Sequence, residues 1–187
     1  VWNHRDFVFD FPAEEHYEHW IASEAMEFLS DAAGRGRPFL AWVSFQGPHG
    51  PIDPPREVKG SVDAGKLPTP LARRPEADEP PQTVKHRTVF GGLDGSETDL
   101  RQIRTAYAEE IVFIDMQIGR ILKRLEELAI LAETSILFSA DHGDMLGDFG
   151  LNTKGPFPYP AQMDIPLLIA NHPGVPAGGR SAALAGN

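Results

Sequence analysis

The fold is decided by the run SILFSADHG at residues 135–143. Its first six residues are mostly apolar, as in a buried strand, and the run then stops at Asp141, His142 and Gly143. Open α/β sheets bind ligands just beyond the carboxyl ends of their strands. Aspartate and histidine can hold a metal ion or a phosphate-like group there, and glycine allows a sharp backbone turn. The run therefore predicts part of a binding site at a strand end.

Two further apolar runs, at residues 39–45 and 166–170, also predict strands. Residues 14–33 and a longer stretch from Ser96 to about Ala129 carry apolar side chains at spacings of three and four, which predicts amphipathic helices. This order of helices and strands favours an α/β protein built as a three-layer α/β/α sandwich. Three strands are few for such a sandwich, so we expect the chain to be part of something larger.

Residues 53–95 differ in composition from the rest of the chain. Prolines and charged residues crowd together there, and the apolar residues show little periodicity. Long irregular segments in compact domains are usually functional lids or disordered, and the sequence leaves both open. We describe the segment as a lid-like insertion.

Bulk properties exclude some classes of protein. The net charge of −10 argues against binding to nucleic acid, which needs a basic face, and no apolar run is long enough to span a bilayer. The absence of cysteine excludes disulfides and thiolate metal sites. Residues 1–6 lack an initiator methionine and the layout of a signal peptide, so we expect the chain to begin inside a longer gene product. Localisation and oligomeric state stay unknown.

Asp141 and His142 are the candidate metal ligands. Aspartate suits Ca²⁺ or Mg²⁺, whereas imidazole favours Zn²⁺ or Mn²⁺. Two ligands do not complete a site, and the alternative is a strand-end aspartate that caps its own loop beside an exposed histidine.

Other loops supply further candidates. His49, held between prolines in GPHGP at residues 47–51, suits a proton donor or an oxyanion contact. Lys154 follows the Asp-His-Gly strand end closely enough to fold back and place its charge beside a sulfate or phosphate oxygen. The alternatives are a loop histidine without a role and a solvated lysine. His16 and His19 are three residues apart on the first helix, and we expect a surface pair.

Several segments, taken in order, closely resemble the type I sulfatase family of the alkaline-phosphatase-like superfamily. They are PFLAWVSFQGPHGP at 38–51, the helix at 107–125 with ID at 114–115 and IGR at 118–120, SADHGDMLGD at 139–148, KGPF at 154–157 and IPL at 165–167. No single one of these is specific, but their order covers most of the chain.

The resemblance implies an alkaline-phosphatase-like fold and a sulfuric ester hydrolase. By position, it implies that Asp141 and His142 bind the active-site divalent cation, usually Ca²⁺ with Mg²⁺ or Mn²⁺ as alternatives. It also implies that His49 and Lys154 are catalytic residues that contact the sulfate group of a sulfated small molecule or glycan. Phosphonate or phosphate ester hydrolysis, and a non-catalytic metal- or anion-binding fragment, are the alternatives.

The chain also departs from the family pattern. The family's nucleophile is a formylglycine made from Cys or Ser in a Cys/Ser-x-Pro-x-Arg element, which this chain lacks. We therefore interpret residues 1–187 as the central to C-terminal part of a sulfatase catalytic domain, and we predict that this piece alone is inactive. Phe149, Pro160 and Asp164 stand where the family commonly has His, Glu and Arg, which leaves the substrate open.

Overall fold

The computed structural model describes residues 8–73, 76–90, 97–156 and 158–182. The elements are, in order, α1 (Tyr17–Arg35), α2 (Pro81–Phe90), α3 (Glu97–Glu127), β1 (Ile136–Ser139), α4 (Pro160–Met163) and β2 (Leu167–Ala170), with short 3-10 turns between them. They belong to two compact units. Unit 1 comprises Val1–Thr69 and Gly95–Ile130, and unit 2 comprises Pro70–Asp94 and Leu131–Asn187. None of the helices in the described residues combines the length and apolar character needed to cross a bilayer.

Unit 1 is organised around the packing of α1 against α3. The His16 side chain caps the start of α1 by accepting the Glu18 backbone N–H, and Gly36 ends the helix in the left-handed conformation at a φ of 59°. Both predicted helices are therefore confirmed, with ends that differ by a few residues. Their apolar core includes Ala22 and Leu29 of α1 and Ile103, Ala106 and Phe113 of α3.

The buried faces of these helices match the predicted apolar stripes only in part: Leu29, Ile103 and Ile114 are buried, but other members of the stripes are not. Phe28 and Ile111 are 45% and 46% exposed, whereas Glu18 and Glu110 are fully buried. Counting apolar residues assigns glutamates to solvent, and here two of them lie in the interior. The interior of unit 1 is thus partly ionisable.

Unit 2 contains a two-stranded antiparallel sheet in which Ile136 of β1 lies opposite Ala170 of β2. The predictions of strands at 135–140 and 166–170 are confirmed. The expectation that β1 is buried is wrong, since Leu137 of β1 and Leu168 of β2 are 66% and 64% exposed. Within the described residues each strand pairs only with the other, so large parts of both faces stay accessible to solvent.

The predicted strand at residues 39–45 is absent. This segment has no regular secondary structure and no ladder partner among the described residues, and Leu40 and Trp42 are 87% and 89% exposed. A strand requires a hydrogen-bonding neighbour, which an apolar run cannot supply for itself.

The insertion at 53–95 is largely irregular, as predicted, but it includes helix α2, which we did not predict. Residues 74–75 and 91–95 of the insertion lie outside the described residues. Its role as a lid stays a prediction.

Candidate functional site

Asp141 and His142 follow β1 directly and form a compact pair. The His142 backbone N–H donates to Asp141 Oδ1 at 2.9 Å, and His142 Nδ1 donates to the Gly143 carbonyl at 2.8 Å. Because a carbonyl only accepts, Nδ1 carries a hydrogen and Nε2 keeps a lone pair when the ring is neutral. Nε2 lies 3.6 Å from Asp141 Oδ2. An imidazole nitrogen and a carboxylate oxygen this close can share one divalent cation, so the donor set fits part of a metal site.

Gly143 is required for a different reason from the one we predicted. Its φ is not positive, so the turn itself does not demand glycine. A Cβ at Gly143 would instead overlap the backbone carbonyl of Ala161 in α4, and the Gly143 N–H donates to the Gln162 carbonyl at 2.8 Å. Glycine is therefore needed for the close approach of α4.

Gln162 joins the loop of Asp141 and His142 to the loop of Lys154. In addition to its bond from Gly143, its side-chain amide donates to the Gly155 carbonyl and accepts from the Gly155 N–H, both at 2.8 Å. Gly143, next to His142, and Gly155, next to Lys154, are thus both hydrogen-bonded to Gln162. The Lys154 side chain is exposed.

The carboxylates that follow this pair in sequence accept hydrogen bonds from backbone N–H groups. Asp144 Oδ1 accepts the Leu146 N–H at 2.9 Å, and Asp148 Oδ1 accepts the Leu71 N–H at 3.0 Å. These bonds fold the loop over a small core. Its members are the buried Met145 and Leu151 and the partly buried Phe149, Tyr159 and Ala161. Asp144 therefore caps its own turn, whereas Asp148 ties the loop to the segment of Leu71.

His49 lies in unit 1, whereas the other three predicted residues lie in unit 2. Its Nδ1 donates to the Gly50 carbonyl at 3.0 Å, which leaves Nε2 as the ring nitrogen open to a ligand. The loop of His49 is attached to α1, because the Gly47 N–H donates to the Glu18 carboxylate. The expectation that His49 shares a site with Lys154 stays a prediction.

Sequence reasoning missed a buried ionisable cluster in unit 1. We expected His16 to be a surface residue, but its side chain is fully buried, and a ligand atom of His16, one of Asp53 and one of Glu110 lie within 4.8 Å of one another. Burial raises the pKa of Glu110 to about 8, with the charges of Asp53 and Glu18 adding to the shift and a hydrogen bond from Tyr17 opposing it.

Burial also shifts the other members of this cluster away from their charged forms. Burial lowers the pKa of His16. The Asp53 backbone acts in the opposite direction and offsets part of this shift, although its contact with Nε2 falls outside normal hydrogen-bond geometry. One signal in the sequence could have located the cluster. Glu110 stands seven residues after Ile103 and four before Ile114, on the apolar stripe of α3.

Comparison with known proteins agrees with this picture. The sequence model of the Sulfatase family matches residues 1–186. The chain is 34% identical over 156 residues to an arylsulfatase from Clostridium perfringens, a match that covers 82% of this chain and 32% of that protein. It is 33% identical over 145 residues to a choline-sulfatase from Rhizobium meliloti, covering 76% of this chain and 28% of that protein.

A solved structure is similar as well. The phosphonate monoester hydrolase from Silicibacter pomeroyi matches with a TM-score of 0.69 and 26% identity, over 85% of this chain and 33% of that one. These similarities confirm the predicted fold class, an alkaline-phosphatase-like α/β fold of which the described residues form a part. The chain spans about a third of the length of the relatives it matches.

Proposed function

Because the chain belongs to the sulfatase family, we propose that the whole protein hydrolyses sulfate esters and that this chain supplies part of the site. The observation that carries the proposal is the set of hydrogen bonds that Gln162 forms with Gly143 and Gly155: it accepts from both backbone N–H groups and donates to the Gly155 carbonyl. These bonds attach both the Asp141–His142 pair, which suits a cation, and the loop of Lys154 to the short helix α4. A sulfate ester is an anion, and it needs positive charge on its oxygens as it reacts.

Asp141 and His142 would hold the divalent cation, with Ca²⁺ first and Mg²⁺ or Mn²⁺ as alternatives. Bound there, the cation would neutralise charge on the ester oxygens. The bond from His142 Nδ1 to the Gly143 carbonyl keeps Nε2 available as a ligand, because it fixes the hydrogen of the neutral ring on Nδ1 and orients the imidazole. The Lys154 ammonium would add a compact positive charge at another oxygen of the ester.

His49 would contact the bridging oxygen of the ester or protonate the leaving alcohol. Its Nδ1 is committed to the Gly50 carbonyl, so Nε2 would hold the transferred proton. The substrate class would be a sulfated small molecule or glycan, and the arylsulfatase and choline-sulfatase relatives support this choice.

The 187-residue chain by itself would not turn over substrate. It contains no cysteine and no Ser-x-Pro-x-Arg run, so the formylglycine of the family would have to come from another part of the whole protein. The purified chain should hydrolyse an aryl sulfate no faster than its Asp141→Ala variant. Turnover above that control would contradict this expectation.

Phosphonate ester hydrolysis is the second candidate, because the Silicibacter pomeroyi structure is a phosphonate monoester hydrolase. The two activities can be separated by assaying the whole protein on an aryl sulfate and on the matching aryl phosphonate. We expect a higher kcat/KM for the sulfate and a large loss on both substrates in Lys154→Met. The matched control is Lys123→Met, which removes an exposed lysine of α3. A higher kcat/KM for the phosphonate would favour the second candidate.

A further inference from the structure

Two buried carboxylates and one half-buried carboxylate of unit 1 lie near one another, and we refer to Glu18, Asp53 and Glu110 as the acid cluster. Glu18 and Glu110 are fully buried, on α1 and α3 respectively. A Cβ at Gly47 would lie 2.8 Å from Glu18 Oε1 and 2.7 Å from Glu110 Oε1, so both carboxylates reach the same point under the loop.

Each carboxylate of the acid cluster is only partly satisfied. Glu18 Oε1 accepts the Gly47 N–H, and Glu110 Oε1 accepts the Tyr17 hydroxyl at 3.1 Å. The second oxygen of each glutamate and Oδ1 of Asp53 are buried and have no hydrogen-bond partner of normal geometry among the described residues, although the Gln46 backbone acts on Glu18 and the Asp53 backbone acts on Glu110. Buried polar atoms are nearly always paired, so these three oxygens point to a ligand.

His16 faces the acid cluster as a donor. Its Nδ1 accepts the Glu18 backbone N–H at 3.2 Å, so the neutral ring carries its hydrogen on Nε2. This Nε2 is also buried, and within the described residues no acceptor meets it with normal hydrogen-bond geometry, although the Asp53 backbone lies near the ring. A protonated Nε2 cannot bind a metal, but it can donate to a carboxylate that does. The ligands of any cation at this place are therefore oxygens, which select a hard ion.

The acid cluster has no positive partner within the described part of the chain. The charges that act on Glu18 and Glu110 are those of other carboxylates, and none of the three acids forms an ion pair with a lysine or arginine that the structure describes. A proton on one glutamate would serve at most two oxygens, the one that carries it and one that accepts from it. A divalent cation could contact Asp53 and Glu110 together, and its two positive charges would offset two of the three negative charges.

We propose that Asp53 and Glu110, with Glu18 beside them, form a site for a hard divalent cation, Ca²⁺ or Mg²⁺, with His16 as a hydrogen-bond donor to its ligands. The ligand atoms of Asp53 and Glu110 lie within 4.8 Å of each other, a spacing that a central ion with Ca–O distances of about 2.3–2.6 Å can bridge. The Glu18 carboxylate beside them accepts the Gly47 N–H, two residues before His49. This site is independent of the function proposed for Asp141 and His142.

The test begins with a chain that lacks the other proposed ligands. The chain that carries both Asp141→Asn and His142→Ala is freed of bound metal with a chelator. It is then titrated in a calorimeter with CaCl₂ and, separately, with MgCl₂. We expect one equivalent of bound cation and, at 100 times its Kd, a rise in melting temperature of about 5–10 °C. No binding and no thermal shift with either cation would overturn the proposal, including the case in which the cluster holds only protons.

Variants then locate the site. In the same background, Glu110→Gln and Asp53→Asn keep the side-chain shape and should each weaken cation binding at least about tenfold. Asp115→Asn, at an exposed position of α3, is the matched control and should bind as before. Binding that survives both cluster variants unchanged would place the cation elsewhere and would also overturn the proposal. If a variant does not fold, the titration of the background chain still decides.

Discussion

The two units treat polar and apolar side chains in opposite ways. Unit 1 buries ionisable groups such as Glu18 and Glu110 between two long helices, whereas unit 2 exposes Leu137 and Leu168 on a small sheet. In unit 1 the loop of His49 is therefore supported by buried side chains. In unit 2 the loops of His142 and Lys154 are supported by hydrogen bonds from Gln162. The first support is a buried carboxylate, and the second is a side-chain amide on a short helix.

The largest expected effect contrasts the two interiors. Phe113→Ala removes a fully packed ring from the core of unit 1 and should lower the free energy of unfolding by about 3–5 kcal/mol. Leu137→Ala removes an exposed side chain of β1 and should change it by less than about 0.5 kcal/mol. Urea unfolding of both variants measures the difference. Equal losses would mean that β1 is covered in solution.

The next effect tests the close approach of α4 in unit 2. Gly143→Ala would drive a methyl group into the Ala161 carbonyl and displace the loop of His142, so kcat/KM of the whole protein for an aryl sulfate should fall about 100-fold. Gly119→Ala is the matched control, because a Cβ there meets nothing within 4 Å and a helix favours alanine. An active Gly143→Ala variant would show that this approach is not needed for catalysis.

Local patterns predicted most elements, because the information for a helix lies within the helix. The apolar spacing in α3 identified that helix to within a few residues, and the apolar runs located β1 and β2. The run at residues 39–45 did not become a strand, because strand formation depends on a neighbour that no local run specifies.

The candidate site divides in the same way. Asp141, His142 and Lys154 could be chosen from residue type and position, since they follow a strand end or its loop. The roles of Glu18 and Gln162 could not, because each depends on a partner that is remote in sequence or on the other side of a turn. Glu110 was missed because an apolar count treats a glutamate on the stripe as an interruption, although it is buried.

A smaller effect separates the positioning of Lys154 from general stability. Gln162→Met keeps the side-chain length but removes both bonds to Gly155, so kcat/KM for an aryl sulfate should fall about tenfold. A merely structural role would lower stability and leave the kinetics of the folded protein unchanged. Gln102→Met, at an exposed position of α3, is the control for loss of an amide.

The smallest expected effect is a pH dependence that belongs to unit 2. Arg87 donates from both terminal nitrogens to the Glu79 carboxylate at 2.7 Å, and this pairing holds the pKa of Glu79 below its ordinary value of 4.5. A carboxyl with a depressed pKa stabilises the fold above its unfolded-state pKa, and that stability is lost as the pH falls through the folded-state value.

Unfolding followed from pH 7 to pH 3 should therefore show a loss of stability below about pH 4.5 that Glu79→Gln reduces. The exposed pair of Asp31 and Arg35 on α1 is the comparison, and Asp31→Asn should leave the profile nearly unchanged because solvent screens such a pair. Identical profiles for Glu79→Gln and the parent chain would mean that Arg87 stabilises unit 2 through its bond to the Phe149 carbonyl, and not through its charge.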